Sequence, residues 1–294
     1  MFAFKLWGNF GVFRDPITIS QNITLGIPPK TTVGGMLASV LGIDYNDYFK
    51  DTDYFSFEYS VVLNNPIRKK SFSQNYVEDY TKKSEIKYSC LDNYSNSKEK
   101  LSLLIEEREG LTKQMELSKK DSKQLAGLAK KIQNAESDLE KNLITVDENI
   151  SKKMTKPKPI RRELLINPNY IIFINNFKYE DEVILAMKKH QSAFLFYMGN
   201  TEYPANYQYL DCIESINCSL KNVDSFTKSL DKINFEPGNK YSTIHFATSV
   251  VGNREYRDYK RLVFCDFGKK ISFRDSINGF SIKLADGDYN CEFV

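Results

Sequence analysis

Residues 2–42 read FAFKLWGNFGVFRDPITISQNITLGIPPKTTVGGMLASVLG. Phe2, Phe4 and Leu6 alternate with their neighbours, the period of a strand with one buried face. Val12, Ile17, Ile19, Ile23 and Leu25 continue a β-rich pattern interrupted at Pro16, and Pro28-Pro29 stops it. From Lys30 the period becomes helical. Val33, Met36, Leu37, Val40 and Leu41 form one apolar stripe, Thr31 or Thr32 is placed to cap the start, and Gly42 to end it. Gly34 and Gly35 each cost such a helix ~1 kcal/mol relative to Ala. Their presence predicts close approach of another backbone or a ligand.

Outward from this β–β–α opening, residues 54–63 (YFSFEYSVVL) read as a strand. Residues 64–95 read as polar and irregular, with the triplet Arg68-Lys69-Lys70. Further on, 164–174 (LLINPNYIIFI) reads as a strand, 180–190 as a helix, and 193–198 as a strand ended by Gly199. The remainder is β-rich at 207–216, 242–250, 259–267 and 270–273, with Asn278-Gly279 as a hairpin turn. The order β–β–α–β, then β–α–β, predicts an α+β chain of ferredoxin-like or RRM-like type with a β-rich C-terminal part.

Residues 97–146 contain no Pro, Trp, Tyr or Phe. Leu104, Leu111, Ser118, Leu125, Ile132, Leu139 and Val146 recur every seven residues. Leu101, Arg108, Met115, Ser122, Ala129, Glu136 and Leu143 lie three positions earlier. This coiled-coil-like seam predicts a helical hairpin turning near Lys119–Ser122, which buries the stripe within one chain. A single helix of ~75 Å is the alternative. The expected organisation is therefore 1–96 as the first part of the RRM-like domain, 97–150 as a helical insertion, 151–210 as the domain's remainder, and 211–294 as the β-rich part.

The 294 residues include 20 Phe and 18 Tyr, enough bulk for a sizeable core. No apolar run approaches the ~18 residues of a membrane span, and no secretory signal opens the chain. Five scattered cysteines without CxxC spacing and only two histidines assemble no zinc site, so neither metal nor cofactor is expected. A reduced, cytoplasmic protein fits this cysteine usage. The net charge is +3, but residues 151–163 carry six basic groups against one acidic group. Such clustering, rather than the total, marks an electrostatic footprint. Surface lysine runs are also simply solvated.

Lys30-Thr31 near glycines invites a phosphate-loop reading, but the glycines follow the lysine instead of preceding it, so no G-x-x-x-x-G-K-[ST] cradle forms. A helix start bearing Lys30, Thr31 and Thr32 still suits a phosphate. His190, after Lys188-Lys189 at a helix end, and His245, in an alternating strand, read as structural. No nucleophile triad, paired-carboxylate or Rossmann pattern is present. Basic and aromatic residues interleave instead, as single-stranded RNA binding requires. Trp7, Phe10 and Phe13 precede Arg14; Arg68-Lys69-Lys70 precedes Phe72; Arg254-Glu-Tyr-Arg257-Asp-Tyr-Lys-Arg261 alternates both kinds. In the 151–163 strip, Lys156, Lys158, Arg161 and Arg162 are the expected phosphate ligands. Arg162 alternatively pairs with Glu163 or another carboxylate.

Gly8-Asn-Phe-Gly-Val-Phe-Arg14-Asp-Pro16 with Gly26-Ile-Pro-Pro-Lys-Thr-Thr-Val-Gly-Gly-Met36 resembles the N-terminal signature of the CRISPR-associated Cas-five subunits, RAMP-superfamily proteins of type I Cascade complexes. Ile160-Arg-Arg-Glu-Leu-Leu-Ile-Asn-Pro-Asn-Tyr170 and Phe196-Tyr-Met-Gly-Asn-Thr-Glu-Tyr-Pro-Ala205 resemble later blocks of the subtype I-B branch. The resemblance implies an RRM-like domain capping the 5′ handle of the guide RNA, and a thumb within 64–95. It also implies contacts to the Cas-seven backbone subunit and the Cas-eight large subunit, with target DNA met only through the complex. One branch of the family cleaves the guide with a Lys-His pair about twenty residues before a Leu-Gly, plus an N-terminal Tyr. Here Lys189-His190 lies nine residues before Gly199, and Tyr179 stands at the twenty-residue position. The catalytic pattern does not carry over, and a separate Cas-six nuclease is expected to process the guide. The alternatives are a guide-processing ribonuclease using His190 or His245, and a coiled-coil scaffold.

Overall fold

A computed structural model of the chain describes residues 1–15, 18, 22–51, 53–76, 84–115, 122–151, 158–252 and 255–294. Lys156, Arg254 and residues 119–121 of the turn expected near Lys119–Ser122 lie outside these residues. The chain divides into two compact units, one of residues 1–72 with 161–294 and one of residues 73–160.

The first unit is built on a four-stranded antiparallel sheet. Its strands are β1 (Phe2–Trp7), β3 (Glu58–Leu63), β6 (Asn169–Asn175) and β7 (Asn206–Leu210), in spatial order β3-β6-β1-β7. Helix α1 (Lys30–Leu41) joins the first two of these strands and α5 (Glu180–Lys188) the last two. This is the β-α-β-β-α-β ferredoxin-like order. Alternation in the strands sorts side chains to opposite faces. Phe2, Phe4, Leu6, Tyr59, Val61, Tyr170 and Ile172 join the core containing Val33, Leu37 and Val183 of the helices. Ala3, Val62, Ile171 and Phe173 join Ile282, Leu284, Cys291 and Phe293. Both faces of β6 are therefore covered, which explains why it reads as an unbroken apolar run.

Gly42 ends α1 at φ 73°, as read from sequence. The start differs from expectation. Pro29 is the N-cap, no side chain caps the helix, and the amides of Thr32 and Val33 donate to the Pro29 carbonyl. Gly34 has a packing reason, because a Cβ there would lie 2.5 Å from the Phe55 ring. Gly35 meets nothing nearer than the Tyr48 hydroxyl at 3.6 Å.

Several other readings are corrected. Tyr54–Ser56 form a 3-10 turn before β3, with the Tyr54 hydroxyl donating to the Gly34 carbonyl at 2.8 Å. Residues 164–174 are not one strand. β5 (Lys158–Ile166) and β6 are separated at Asn167, whose φ is 48°, and Pro168. Residues 193–198 form a loop, because Ala193 and Phe194 donate their amides to carbonyls of α1 instead of a strand. Asn278-Gly279 is no turn but lies inside β12 (Ile271–Leu284). A Cβ on Gly279 would sit 2.8 Å from the Cys291 carbonyl, so the glycine permits close strand approach. The turn falls at 285–286, where β12 meets β13 (Gly287–Cys291). β12 also pairs β8 (Cys212–Val223) and the short β9 (Ile233–Asn234). β10 (Tyr241–Val251) and β11 (Glu255–Cys265) form a two-stranded ribbon.

Residues 64–95 are not irregular. β4 (Lys69–Tyr76) forms a three-stranded sheet of order β2-β5-β4 with β2 (Phe10–Gly11). Six of the eight residues of β4 are polar and only Phe72 and Tyr76 are not, so its period-2 signal is too weak to show in sequence reading. The 4-residue helix α2 (Tyr45–Tyr48) was also without a signal.

In the second unit, α3 (Ser84–Met115) and α4 (Ser122–Val146) pack antiparallel. Ser97 Oγ accepts from Asn142 Nδ2 at 2.7 Å, and Cys90 lies 4.0 Å from Asn149, which brackets the direction. The α4 seam runs through Leu128, Ile132, Ala135, Leu139, Asn142 and Val146. The second heptad series is therefore displaced from the expected one, since Ala129, Glu136 and Leu143 are exposed. Replacing residues 84–146 with a Gly/Ser linker is expected to shift the melting midpoint of the remainder by less than ~5 °C, because the ferredoxin-like core contains none of them. A loss of cooperative melting would show that the core depends on the hairpin.

Candidate nucleic-acid interface

An RRM commonly stacks bases on the open face of its sheet. Here that face is closed by the cluster holding Ile282, Leu284 and Phe293. The expected cations gather elsewhere, around residues 22–24. Arg14 bridges Thr24, and Asn22 bridges Arg162. Lys69 Nζ donates to the Thr24 carbonyl at 2.5 Å and stands 3.5 Å from Glu163 Oε2. The Thr24 amide donates to the same carboxylate at 3.3 Å. Lys69 thus ties two segments together, and only part of its charge faces solvent.

Arg162 stands 4.0 Å from Glu202 Oε2 with its side chain 21% exposed. The carboxylate alternative therefore describes it, with Glu202 in place of Glu163. Arg68, Lys70 and Arg161 are exposed alongside, together with Arg14. Among the described residues no carboxylate pairs with Arg68, Lys70 or Arg161. Lys158 opens β5, and only its backbone is described.

Lys30 is not at the surface. It is 6% exposed, with its ammonium 5.0 Å from the centre of the Phe57 ring. Burial lowers its pKa to about 8, against the opposing pull of Glu58 and Asp258 and with a smaller push from Lys260. Burial leaves little of it for a phosphate. Thr31 and Thr32 are half-buried on the first turn of α1. Arg257 lies on the β10–β11 ribbon, where Nε and Nη2 donate to Glu255 Oε1 at 3.1 and 2.9 Å. Tyr256 and Tyr259 of the same ribbon are exposed, as base stacking requires. Phe13, in contrast, is buried in the core, while Phe10 is exposed.

Sequence reading missed a cavity of about 590 Å³ whose lining includes Gly26, Ile67, Lys69, Lys240, His245 and Asp266. His245, read as structural, is exposed on β10 and faces this cavity. Lys240 Nζ lies 2.8 Å from Asp266 Oδ2, and that hydrogen bond raises the lysine pKa. Lys240 precedes β10 and Asp266 follows β11, and antiparallel pairing (Tyr241 opposite Cys265) brings them together at one end of the ribbon, so no local motif announces them. His190 stacks on Tyr207 at 4.6 Å with 22° between the rings. Among the described residues no cluster of His, Cys, Asp or Glu is arranged to hold a metal, and no helix is long and apolar enough to cross a membrane.

No curated protein matches the chain at a significant level. Among solved structures, a chain described as "CRISPR RNA-guided surveillance complex" aligns with a TM-score of 0.43 and 10% identity, covering 94% of this chain and 90% of that one. A chain from a cryo-EM structure of the Type III-B Cmr-beta bound to cognate target RNA and AMPPnP aligns at 0.38 and 14%, covering 92% and 86%. Scores this low carry no argument by themselves. The family model for CRISPR-associated protein (Cas_Cas5) matches residues 1–233, which contain the complete ferredoxin-like sheet, its two helices and the cations around residues 22–24; the chain belongs to the Cas5 family.

Proposed function

We propose that this Cas5 protein is a non-catalytic RNA-binding subunit of a type I-B Cascade surveillance complex. It caps the 5′ handle of the guide RNA and joins the Cas-seven backbone subunit to the Cas-eight large subunit. The observation that carries the RNA role is the set of exposed cations on and beside one small sheet, Arg68 and Lys70 at β4 and Arg161 on β5, with Arg14 on the segment that bridges Thr24. Phosphates are held by such side chains without reading sequence. The non-catalytic reading is supported by the histidines. His190 packs on Tyr207 at the end of α5, and His245 stands on the separate β10–β11 ribbon. This placement gives no support to an acid–base pair made of the two histidines.

Each phosphate contact on single-stranded RNA contributes roughly −0.7 to the slope of log K against log salt. Changing Arg68, Lys70 and Arg161 to Gln is therefore expected to flatten the slope for a labelled repeat RNA by up to ~2 units. The RNA is expected to remain intact with or without Mg²⁺. An unchanged slope in a folded variant would make this surface a solvated or protein-docking face. Cleavage lost in His190→Ala would make the protein a processing nuclease.

A further inference from the structure

We propose that the outer edge of β8, over residues 214–219, takes an extended segment of a partner protein as an added strand. This rests on reading the chain as a subunit of a multi-protein complex, and it names one surface by which the chain is joined. β8 ends the sheet order β13-β12-β8, so only one of its edges is paired. The chain closes comparable edges itself. On β3, Tyr59 exchanges both main-chain hydrogen bonds with Val294 at 3.0 Å. On β11, Val263 does the same with Thr227 at 2.8 Å, and on β13 the Asn290 carbonyl accepts from the Asp224 amide at 2.7 Å. Among the described residues, the main chain of 214–219 pairs with β12 alone. Alternate residues of an edge strand turn their N–H and C=O outward, which leaves a row of donors and acceptors at strand spacing.

The strand is bare on its faces as well. Residues 213–217 are all exposed, Ile213 at 62% and Ile216 at 52%. Edges that stay open to water carry lysine, proline or a bulge that turns other strands away. Residues 212–220, CIESINCSL, contain no Lys, Arg or Pro. The register with β12 shifts at Ile213, just before the stretch, and runs without a break from Glu214 opposite Lys283 to Ser219 opposite Asn278. The chemistry selects the occupant. Main-chain groups repeating along an edge are met by another strand, and not by a helix. Residues 206–220 hold Asp211 and Glu214 but no Lys, Arg or His, so RNA phosphates find no ligand there. Glu214 is the one charge in 212–220, so the added strand is neutral or basic beside it, with an apolar side chain against Ile216.

The test is hydrogen exchange, resolved to single amides, on the full chain alone, with repeat RNA, and assembled with the Cas-seven and Cas-eight subunits and guide RNA. In the chain alone, alternate amides of 214–219 are expected to exchange as fast as in an unfolded chain. In the assembled complex the same amides are expected to slow by about 100-fold or more. Ser215→Pro and Ile216→Pro probe the edge independently. Of two consecutive amides one donates to β12 and the other faces outward, so one variant is expected to melt like the wild type. That variant is expected to join the complex about tenfold more weakly or worse. If both variants unfold, the exchange pattern alone decides. Slowing with repeat RNA alone would assign the edge to RNA, and slowing in the chain alone together with a doubled mass would assign it to a second copy; either overturns the proposal. A complex that forms with these amides still fast would overturn the added strand and leave the subunit reading standing. Failure of the folded chain to join any complex would overturn both.

Discussion

Gly199→Ala is expected to lower stability by about 4 kcal/mol or more, placing it in the exceptional tail of single substitutions. Two independent costs combine at this position. Gly199 has φ 84°, a left-handed conformation that costs a residue with a Cβ roughly 1–2 kcal/mol. A Cβ there would also fall inside the van der Waals envelope of the Val12 carbonyl oxygen. That neighbour is backbone, and the segment is fixed by the Val12 amide donating to the Met198 carbonyl at 3.0 Å. The chain relieves the overlap only by breaking this contact or by shifting Phe13, which is buried in the core. At roughly 2–4 °C per kcal/mol, the melting midpoint falls by about 8–16 °C. Gly238→Ala is the matched control. Its φ of 82° carries the same conformational cost, but among the described residues nothing stands within 4 Å of its Cβ. Its expected loss is about 1 kcal/mol. Equal losses for the two variants would remove the close approach of residue 199 to Val12 from the account.

Lys30→Met is expected to change the pH dependence of stability as much as its magnitude. The folded protein holds the Lys30 pKa at about 8, while the unfolded chain returns it to 10.5. Between these values the unfolded state binds more protons, so stability rises with pH. Below about pH 8 the burial penalty on the ammonium is fully present, on the order of 3 kcal/mol. The wild type is therefore expected to gain about 2 kcal/mol on the methionine variant between pH 7 and 9.5. The comparison must be a difference between the two proteins. Burial raises the Cys291 thiol and the Tyr59 and Tyr170 hydroxyls, and these groups lose stability as pH rises. Their contributions are common to both proteins and cancel. Urea titrations at pH 7, 8, 9 and 9.5 measure the difference, and parallel curves would place the Lys30 ammonium in solvent.

The ferredoxin-like core was legible because its signals are local. The alternation of Phe2, Phe4 and Leu6, the stripe from Val33 to Val40 and the run at 170–174 each state their structure within one element. The site was legible only in part. A sequence shows where cations stand but not which carboxylates reach them. Lys69 and Glu163 meet from β4 and β5, and Arg162 meets Glu202 across forty residues of chain. Lys30 looked like a phosphate ligand because its neighbours Thr31 and Thr32 are polar; Phe57, which buries it, arrives from the next turn of structure. Asn278-Gly279 carried the strongest hairpin signal in the chain, yet tertiary packing against Leu220 and Cys291 overrode it. The cavity at Asp266 had no sequence signature, since the segment at 23–26, Ile67 and Lys69 meet the β10–β11 ribbon to line it.

The placement of β1 between β6 and β7 sets a schedule for synthesis. Phe2–Trp7 leaves the ribosome well before its partners at 169–175 and 206–210. At ~5–20 residues per second, this strand waits roughly 10–40 s for its first neighbours. During that interval Phe2, Phe4 and Leu6 have no sheet to enter, and both backbone edges of the strand are open to other chains. The α3–α4 hairpin completes in the meantime from contacts local in sequence. Slower translation is therefore expected to increase aggregation through residues 2–7, and holding the nascent β1 is the step at which a chaperone gains the most.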